Sequence, residues 1–311
     1  MKPNVLQLGP LLALVEKGLA ESYSVHRLDQ AADATRFLAE RGPAIDAVVS
    51  SGRNGMDAAL IDALPKLRVI AHFGVGYDNV DVEHAKRKGV AFSNTPDVLT
   101  DCVADLAMAL VIDVARGITA GDRYVRLGRW SRGAMPLATK LSGKRLGVLG
   151  LGRIGRAIAQ RAEGFDMEIR YHNRRRSPDS PYAFEASLTE LARWSDFLVV
   201  ATAGGEATRG LVSRAVIEAL GHDGFLVNIS RGSVVEEPAL VAALVSRKIA
   251  GAALDVFADE PRVPEALLAL DNVVLTPHIA SATTETRAAM GQLVLDNLAS
   301  FYADGRLLTP V

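Results

Sequence analysis

Residues 145–165 read RLGVLGLGRIGRAIAQRAEGF, and the order of side chains in this stretch decides what kind of sheet the chain builds. Residues 145–150 form an apolar run of strand length, and Ile154, Ile158, Ala162 and Phe165 then recur at about a 3.6-residue period, so strand, tight turn and helix follow one another. Gly150, Gly152 and Gly155 punctuate the junction. The first permits a tight turn, the second lets a pyrophosphate approach the backbone, and the third lets the helix lie close to the sheet. Exposed N–H groups at the helix start then face the anion. Ordinary strand-to-helix turns can carry such glycines too. Here a second strand, MEIRYHN at 167–173, completes a strand-helix-strand unit, and a dinucleotide site is the reading that uses all of it.

At the end of that second strand, about 20 residues past the fingerprint, an Asp or Glu commonly holds the ribose 2′-hydroxyl of NAD(H). This chain has Asn173 there, followed by Arg174, Arg175 and Arg176. A carboxylate would repel a 2′-phosphate, a neutral amide does not, and guanidinium forks match phosphate oxygens in charge and shape. The pattern favours NADP(H), with NAD(H) possible, over a plain solvated basic turn before Pro178.

The same alternation extends outward over the whole chain. Strands are predicted at 4–8, 23–27, 46–50, 68–72 and 90–93, with helical patterns at 10–21, 30–41 and 56–63. A second series begins at 145 and continues through 167–172, 197–202, 224–229, 251–255 and 272–276. Strands alternating with helices make wound parallel sheets, so the fold class is α/β with two doubly wound domains, a Rossmann coenzyme domain and a flavodoxin-like substrate domain with a cleft between. The loop NTPDVLT at 94–100 marks a join, and one long apolar helix is predicted at about 101–121. A last helix near 283–303 could return to the first domain, which predicts a substrate-binding domain of 1–99 with 283–311 and a dinucleotide-binding domain of 100–282. Two crossings make a hinge, where a reaction can be closed off from water.

Composition sets outer limits: 311 residues with 49% hydrophobic content suffice for two ordinary cores, and a net charge of −1 gives no reason to expect nucleic acid or an anionic membrane as partner. Cys102 is the only cysteine, so no intrachain disulfide can form and a reducing compartment is the natural setting. The apolar run LAMALVI at 106–112 is far short of a membrane span, and MKPNVLQLGP lacks the apolar core of a signal peptide. A soluble, cytoplasmic protein without a metal is expected.

Ligands gather at the strand ends of wound sheets, and three polar residues lie there in the second half. Arg231 follows the apolar run FLVNI, Glu260 stands in FADEP, and His278 follows Pro277 in TPHIAS. Singly, each has a plain alternative: a surface arginine at a turn, an acidic loop residue beside Pro261, a structural loop histidine. Jointly they are the groups that hydride transfer to a 2-oxo acid requires. Arginine holds the substrate carboxylate by charged hydrogen bonds and helps polarise the ketone. As negative charge grows on the ketone oxygen, a protonated imidazole in reach delivers a proton, and a neighbouring carboxylate, the part suited to Glu260, favours the protonated ring. The loop Gly74-Val75-Gly76 reads either as adjacent N–H donors for an anion or as a simple turn. Asp255 likewise reads as a ligand contact or as the cap of the next turn.

With these residues in view, the chain resembles the D-isomer-specific 2-hydroxyacid dehydrogenase family over nearly its whole length. The matching stretches are HFGVGYDNVD at 72–81, LGLGRIGRAIAQR at 149–161, VNISRGSVVEEPALVAAL at 227–244, GAALDVFADEP at 251–261 and LTPHIASATTETR at 275–287. Through DRYVRLGRW at 122–130 and LATKLSGKRLGVLGLGRIG at 137–155 it is most similar to the glyoxylate/hydroxypyruvate reductases and plant hydroxyphenylpyruvate reductases. The resemblance implies Arg231, Glu260 and His278 as catalytic residues, and Val75 and Gly76 N–H groups, with Arg231, on the substrate carboxylate. It implies cofactor contacts from Gly150, Leu151, Gly152, Arg153, Ile154, Gly155, Asn173, Arg174, Arg175, Thr202, Ile229, Asp255 and His278, with Asp255 on the nicotinamide carboxamide. A homodimer built around the helix beginning near 101 is also implied.

Thr202-Ala203-Gly204-Gly205 departs from the Cys-Pro-Leu-Thr stretch common in relatives, so Thr202 is the one cofactor contact carried over from that loop. The expected activity is NADPH-dependent reduction of small 2-oxo acids, glyoxylate and hydroxypyruvate first. A hydroxyphenylpyruvate or D-lactate-type dehydrogenase is the alternative within the class, and an NAD(H)-sensing corepressor-like binding protein the alternative outside it.

Overall fold

The computed structural model describes residues 2–311 and divides into two compact units, Met1–Leu99 with Thr283–Val311, and Thr100–Ala282. The first unit contains β1 (Asn4–Gln7), β2 (Ser24–Arg27), β3 (Ala47–Ser51), β4 (Val69–Phe73) and β5 (Ala91–Ser93). They pair in the order β2-β1-β3-β4-β5, parallel throughout, which is the flavodoxin-like doubly wound order. Leu6, Val48, Ile61, Ile70 and Phe92 are buried in its core. Helices begin where a side-chain oxygen can take an unsatisfied N–H: Asp33 accepts from Arg36, Asp57 from Leu60, Asp81 from His84 and Thr283 from Thr286.

The second unit contains β6 (Arg145–Leu149), β7 (Glu168–His172), β8 (Ala183–Phe184), β9 (Phe197–Val200), β10 (Phe225–Asn228), β11 (Gly251–Leu254) and β12 (Val273–Leu275). Their order is β12-β11-β10-β9-β6-β7-β8, again parallel. Counted from β6 this is the Rossmann order with a further edge strand, and its topological switch lies between β6 and β9, the place where such sheets take a dinucleotide. Strands β9 and β10 are buried at every position because helices cover both faces, which is why FLVV and the start of FLVN read as unbroken apolar runs. Each large side chain fully buried in this way contributes roughly 1.5–3 kcal/mol.

The α/β class expected from the alternation holds. Two local features differ from expectation. The single helix predicted at 101–121 is two helices, Thr100–Arg116 and Ile118–Arg126, broken at Gly117, whose φ of 62° lies in the left-handed region. Asp113 supports the break by accepting from the Thr119 N–H at 2.8 Å. The two-residue strand β8 is too short to leave a readable pattern.

Candidate active site

Each glycine of the fingerprint has a separate structural reason. Gly150 adopts φ 99°, and a Cβ there would stand 2.6 Å from the Thr202 nitrogen at the end of β9. A Cβ on Gly155 would lie 2.0 Å from the Gly150 carbonyl oxygen, so the helix Arg153–Glu163 packs directly on the turn. At Gly152 a Cβ would meet nothing within 4 Å, and the backbone there is open to an approaching ligand. A helix N-terminus behind an unobstructed glycine fits a dinucleotide pyrophosphate. Arg153 is exposed at the start of this helix and Ile154 half-buried, while Leu151 is buried.

Asn173 has a second duty that the sequence did not suggest: its Oδ1 accepts from the Leu151 N–H at 2.7 Å, tying the end of β7 to the fingerprint loop. The Leu151 N–H is therefore engaged within the protein. Arg174, Arg175 and Arg176 are exposed and join no salt bridge among the described residues. Just beyond them the loop is anchored, because the Ser177 N–H donates to the buried Tyr171 hydroxyl at 2.9 Å and Arg156 bonds the Ser177 hydroxyl. A cationic segment held firmly at the end of β7 fits a 2′-phosphate.

The loops after β10, β11 and β12 bring Arg231, Glu260 and His278 together. Asn228, buried at the end of β10, donates through Nδ2 to the Arg231 carbonyl at 2.9 Å and accepts from the Ser230 N–H at 3.0 Å, shaping the turn that carries Arg231. Gly232 follows because a Cβ there would fall 1.9 Å from the Phe257 carbonyl carbon. That contact seats the Arg231 turn against the start of the Glu260 loop. Ser230 also donates to the Thr202 carbonyl, and the Ile229 side chain is buried at the same strand end.

Glu260 accepts from the Phe257 N–H through Oε1 at 3.0 Å, and its Oε2 lies 2.7 Å from His278 Nδ1. Burial pushes the Glu260 carboxyl up, but hydrogen bonds from His278 and the Phe257 N–H, with the charges of His278 and Arg231, outweigh it and hold the carboxyl below its ordinary value of 4.5. Glu260 is thus a carboxylate and Nδ1 of His278 carries the hydrogen between them. His278 Nε2 has no protein partner among the described residues.

His278 itself sits at φ 55°, a left-handed conformation costing a non-glycine residue roughly 1–2 kcal/mol. Asp255 maintains it. This fully buried carboxylate at the end of β11 accepts from the Ile279 N–H at 2.8 Å, the Ala280 N–H at 2.9 Å and the Thr276 hydroxyl at 2.7 Å. Asp255 therefore caps the turn that bears His278, leaving about one of a carboxylate's four acceptor positions for anything else. Asn228, Gly232 and Thr276 do not stand out in the sequence as site residues; an amide at a strand end and a hydroxyl two residues before the histidine are the signals that point to two of them.

In the first unit, the loop after β4 turns its carbonyls toward the protein. The Gly74 oxygen accepts from the Thr95 N–H at 2.9 Å, and the Val75 oxygen accepts from Asn94 Nδ2 at 3.0 Å. The N–H groups of Val75 and Gly76 donate to no protein acceptor among the described residues. Adjacent unused donors on a glycine-flanked loop are suited to an anion.

The second unit's geometry has known counterparts. Residues 108–280 match the family model for the D-isomer specific 2-hydroxyacid dehydrogenase NAD binding domain. A hydroxyphenylpyruvate reductase of Plectranthus scutellarioides is 48% identical over 99% of this chain and 98% of its own length. A 2-ketogluconate reductase of Gluconobacter oxydans is 43% identical over 100% of this chain and 99% of its own. Among solved structures, an NADPH-dependent glyoxylate/hydroxypyruvate reductase from Sinorhizobium meliloti, in complex with NADP and malonate, superposes with a TM-score of 0.95 at 43% identity, covering 100% of this chain and 97% of that one.

Proposed function

This chain belongs to the D-isomer-specific 2-hydroxyacid dehydrogenase family, and from that premise we propose that it reduces small 2-oxo acids such as glyoxylate and hydroxypyruvate with NADPH. The observation that carries this reading is the 2.7 Å pair of His278 Nδ1 and Glu260 Oε2, held on a turn that Asp255 fixes, beside Arg231. Gly150, Gly152, Gly155, Asn173 and the Arg174–Arg176 segment would hold the cofactor, which supplies the hydride when bound. Thr202, Ile229 and the remaining acceptor of Asp255 would complete its contacts.

In the proposed reaction Arg231 pairs with the substrate carboxylate and polarises the ketone. The N–H groups of Val75 and Gly76 are the proposed carboxylate donors of the first unit. His278 gives its Nε2 proton to the oxygen on which negative charge develops. Glu260 accepts from Nδ1–H throughout, which orients the ring and balances the positive charge it carries before the transfer. The neutral ring left behind keeps its Nδ1 hydrogen on Glu260.

A homodimer and a reducing, cytoplasmic setting complete the reading. Ile118, Val125, Leu127, Trp130 and Leu137 are all exposed on or just after the helix Ile118–Arg126, a concentration of apolar surface suited to a second copy of the chain. Among the described residues no helix is long and apolar enough to cross a membrane. Steady-state rates with NADPH and NADH over glyoxylate, hydroxypyruvate, hydroxyphenylpyruvate and 2-ketogluconate test the proposal. NADPH with glyoxylate or hydroxypyruvate is expected to give the highest kcat/KM; a preference for NADH, or turnover confined to the larger acids, would overturn it.

A further inference from the structure

Ser50, His72, Asn94 and Thr95 are buried polar residues behind the loop Gly74-Val75-Gly76. Buried polar groups destabilise a fold unless each is hydrogen-bonded; His72, Asn94 and Thr95 bond that loop, and Ser50 bonds His72. His72, fully buried in β4, lies with Nδ1 2.9 Å from the Ser50 hydroxyl and Nε2 3.1 Å from the Gly76 carbonyl oxygen. A carbonyl can only accept, so Nε2 carries the hydrogen, and in the neutral ring Nδ1 accepts from Ser50. Gly74 adopts φ 154° directly over the ring, where a Cβ would meet His72 Nε2 at 3.1 Å.

Three successive carbonyls, those of Gly74, Val75 and Gly76, are thus bonded from β4 and the segment after β5, by Thr95, Asn94 and His72 respectively. In a planar trans peptide the following N–H points opposite to the carbonyl. Thr95 therefore sets the direction of the Val75 N–H, Asn94 that of Gly76, and His72 that of Tyr77. The Tyr77 N–H, like the other two, donates to no protein acceptor among the described residues.

We propose that His72, held in its tautomer by Ser50, is a positioning residue that aims the Tyr77 N–H as a third donor at the substrate carboxylate. The proposal rests on the assignment of the Val75 and Gly76 N–H groups to that carboxylate.

The test measures the dissociation constant of oxamate, an unreactive 2-oxo acid mimic, with the NADPH-saturated enzyme, alongside the KM for glyoxylate, the NADPH affinity and the melting temperature. His72→Phe, which cannot donate, is expected to weaken oxamate and raise the glyoxylate KM by about tenfold while leaving NADPH affinity unchanged. His72→Gln, whose side-chain amide can reach the Gly76 carbonyl, is expected to return both to within about threefold of the wild type. Gly76→Pro removes an N–H of the underlying assignment and separates the two questions. Oxamate affinity unchanged in Gly76→Pro would overturn the carboxylate assignment and the proposal with it. Damage in Gly76→Pro with none in His72→Phe would overturn the role of His72 alone. Loss of melting temperature and of NADPH affinity together in His72→Phe, without recovery in His72→Gln, would mark His72 as structural and also overturn the proposal.

Discussion

Alanine at Gly155 and at Gly152 should produce opposite defects, although the two positions are three residues apart in one turn. At Gly155 the new methyl would lie 2.0 Å from the Gly150 carbonyl oxygen and 3.2 Å from Val148 Cγ1. Carbon–oxygen contacts normally begin at about 3.3 Å, so the helix Arg153–Glu163 must retreat by roughly 1.3 Å. Overpacking of this kind costs about 1–3 kcal/mol, and with backbone as the obstacle no rotamer change relieves it, so the upper end, about 3 kcal/mol, is expected. For a unit of this size that lowers the melting temperature by about 6–12 °C. At Gly152 the backbone is at φ −83° and ψ −159°, which alanine adopts freely, and the methyl meets nothing within 4 Å. Loss of a glycine N-cap costs up to about 1 kcal/mol while reduced freedom of the unfolded chain returns about 0.4–1 kcal/mol, so stability should hardly move. NADPH should instead bind at least about tenfold more weakly, because the methyl occupies the face left open for the pyrophosphate. Thermal unfolding by circular dichroism and fluorescence titration with NADPH read the two effects separately. A Gly155→Ala protein that melts with the wild type, or a Gly152→Ala protein that binds NADPH as well as the wild type does, would refute the division of labour among the glycines.

Asp255→Asn presents an NH2 to one of three donors, so chemical denaturation should show a loss of about 1.5–3 kcal/mol and kinetics a reduced kcat; wild-type stability would contradict its role as the cap of the His278 turn. His278→Ala should lower kcat by about 10²–10⁴-fold with NADPH affinity retained, and an equal fall in both would argue against a proton-transfer role. Asn173→Asp combined with Arg174→Ser keeps an acceptor for the Leu151 N–H, so the fold should persist while the NADPH-to-NADH ratio of kcat/KM falls at least about tenfold; an unchanged ratio would remove this segment from cofactor choice. Because the Glu260 carboxyl is held below 4.5, its contribution to stability is present above that pH and disappears as pH falls through the lowered value. The stability difference between wild type and Glu260→Gln should accordingly be largest near neutral pH and shrink in acid, and a difference independent of pH would show that the charge of Glu260 is immaterial.

The features legible in the chain are those encoded by residues close in sequence. The strand-turn-helix of 145–165 follows from apolar periodicity and glycine spacing, and the succession of such units implies parallel sheets, since short connections through helices return each strand in the same direction. The residue types Arg231, Glu260 and His278 announce their chemistry in the same local way. Their meeting does not. Glu260 and His278 are separated by 18 positions and Asp255 and Ala280 by 25, and their hydrogen bonds exist only because β10, β11 and β12 lie side by side in register. The second duty of Asn173, the close approach of Gly232 to Phe257 and the break at Gly117 are equally unreadable, for each depends on what packs opposite or on a φ that several residue patterns tolerate. Sequence alone determined the elements and the kinds of groups at their ends, because propensity and periodicity act over a few residues. Sheet order and register decided which of those groups touch, because a hydrogen bond across about 3 Å requires positions that only the assembled sheet supplies.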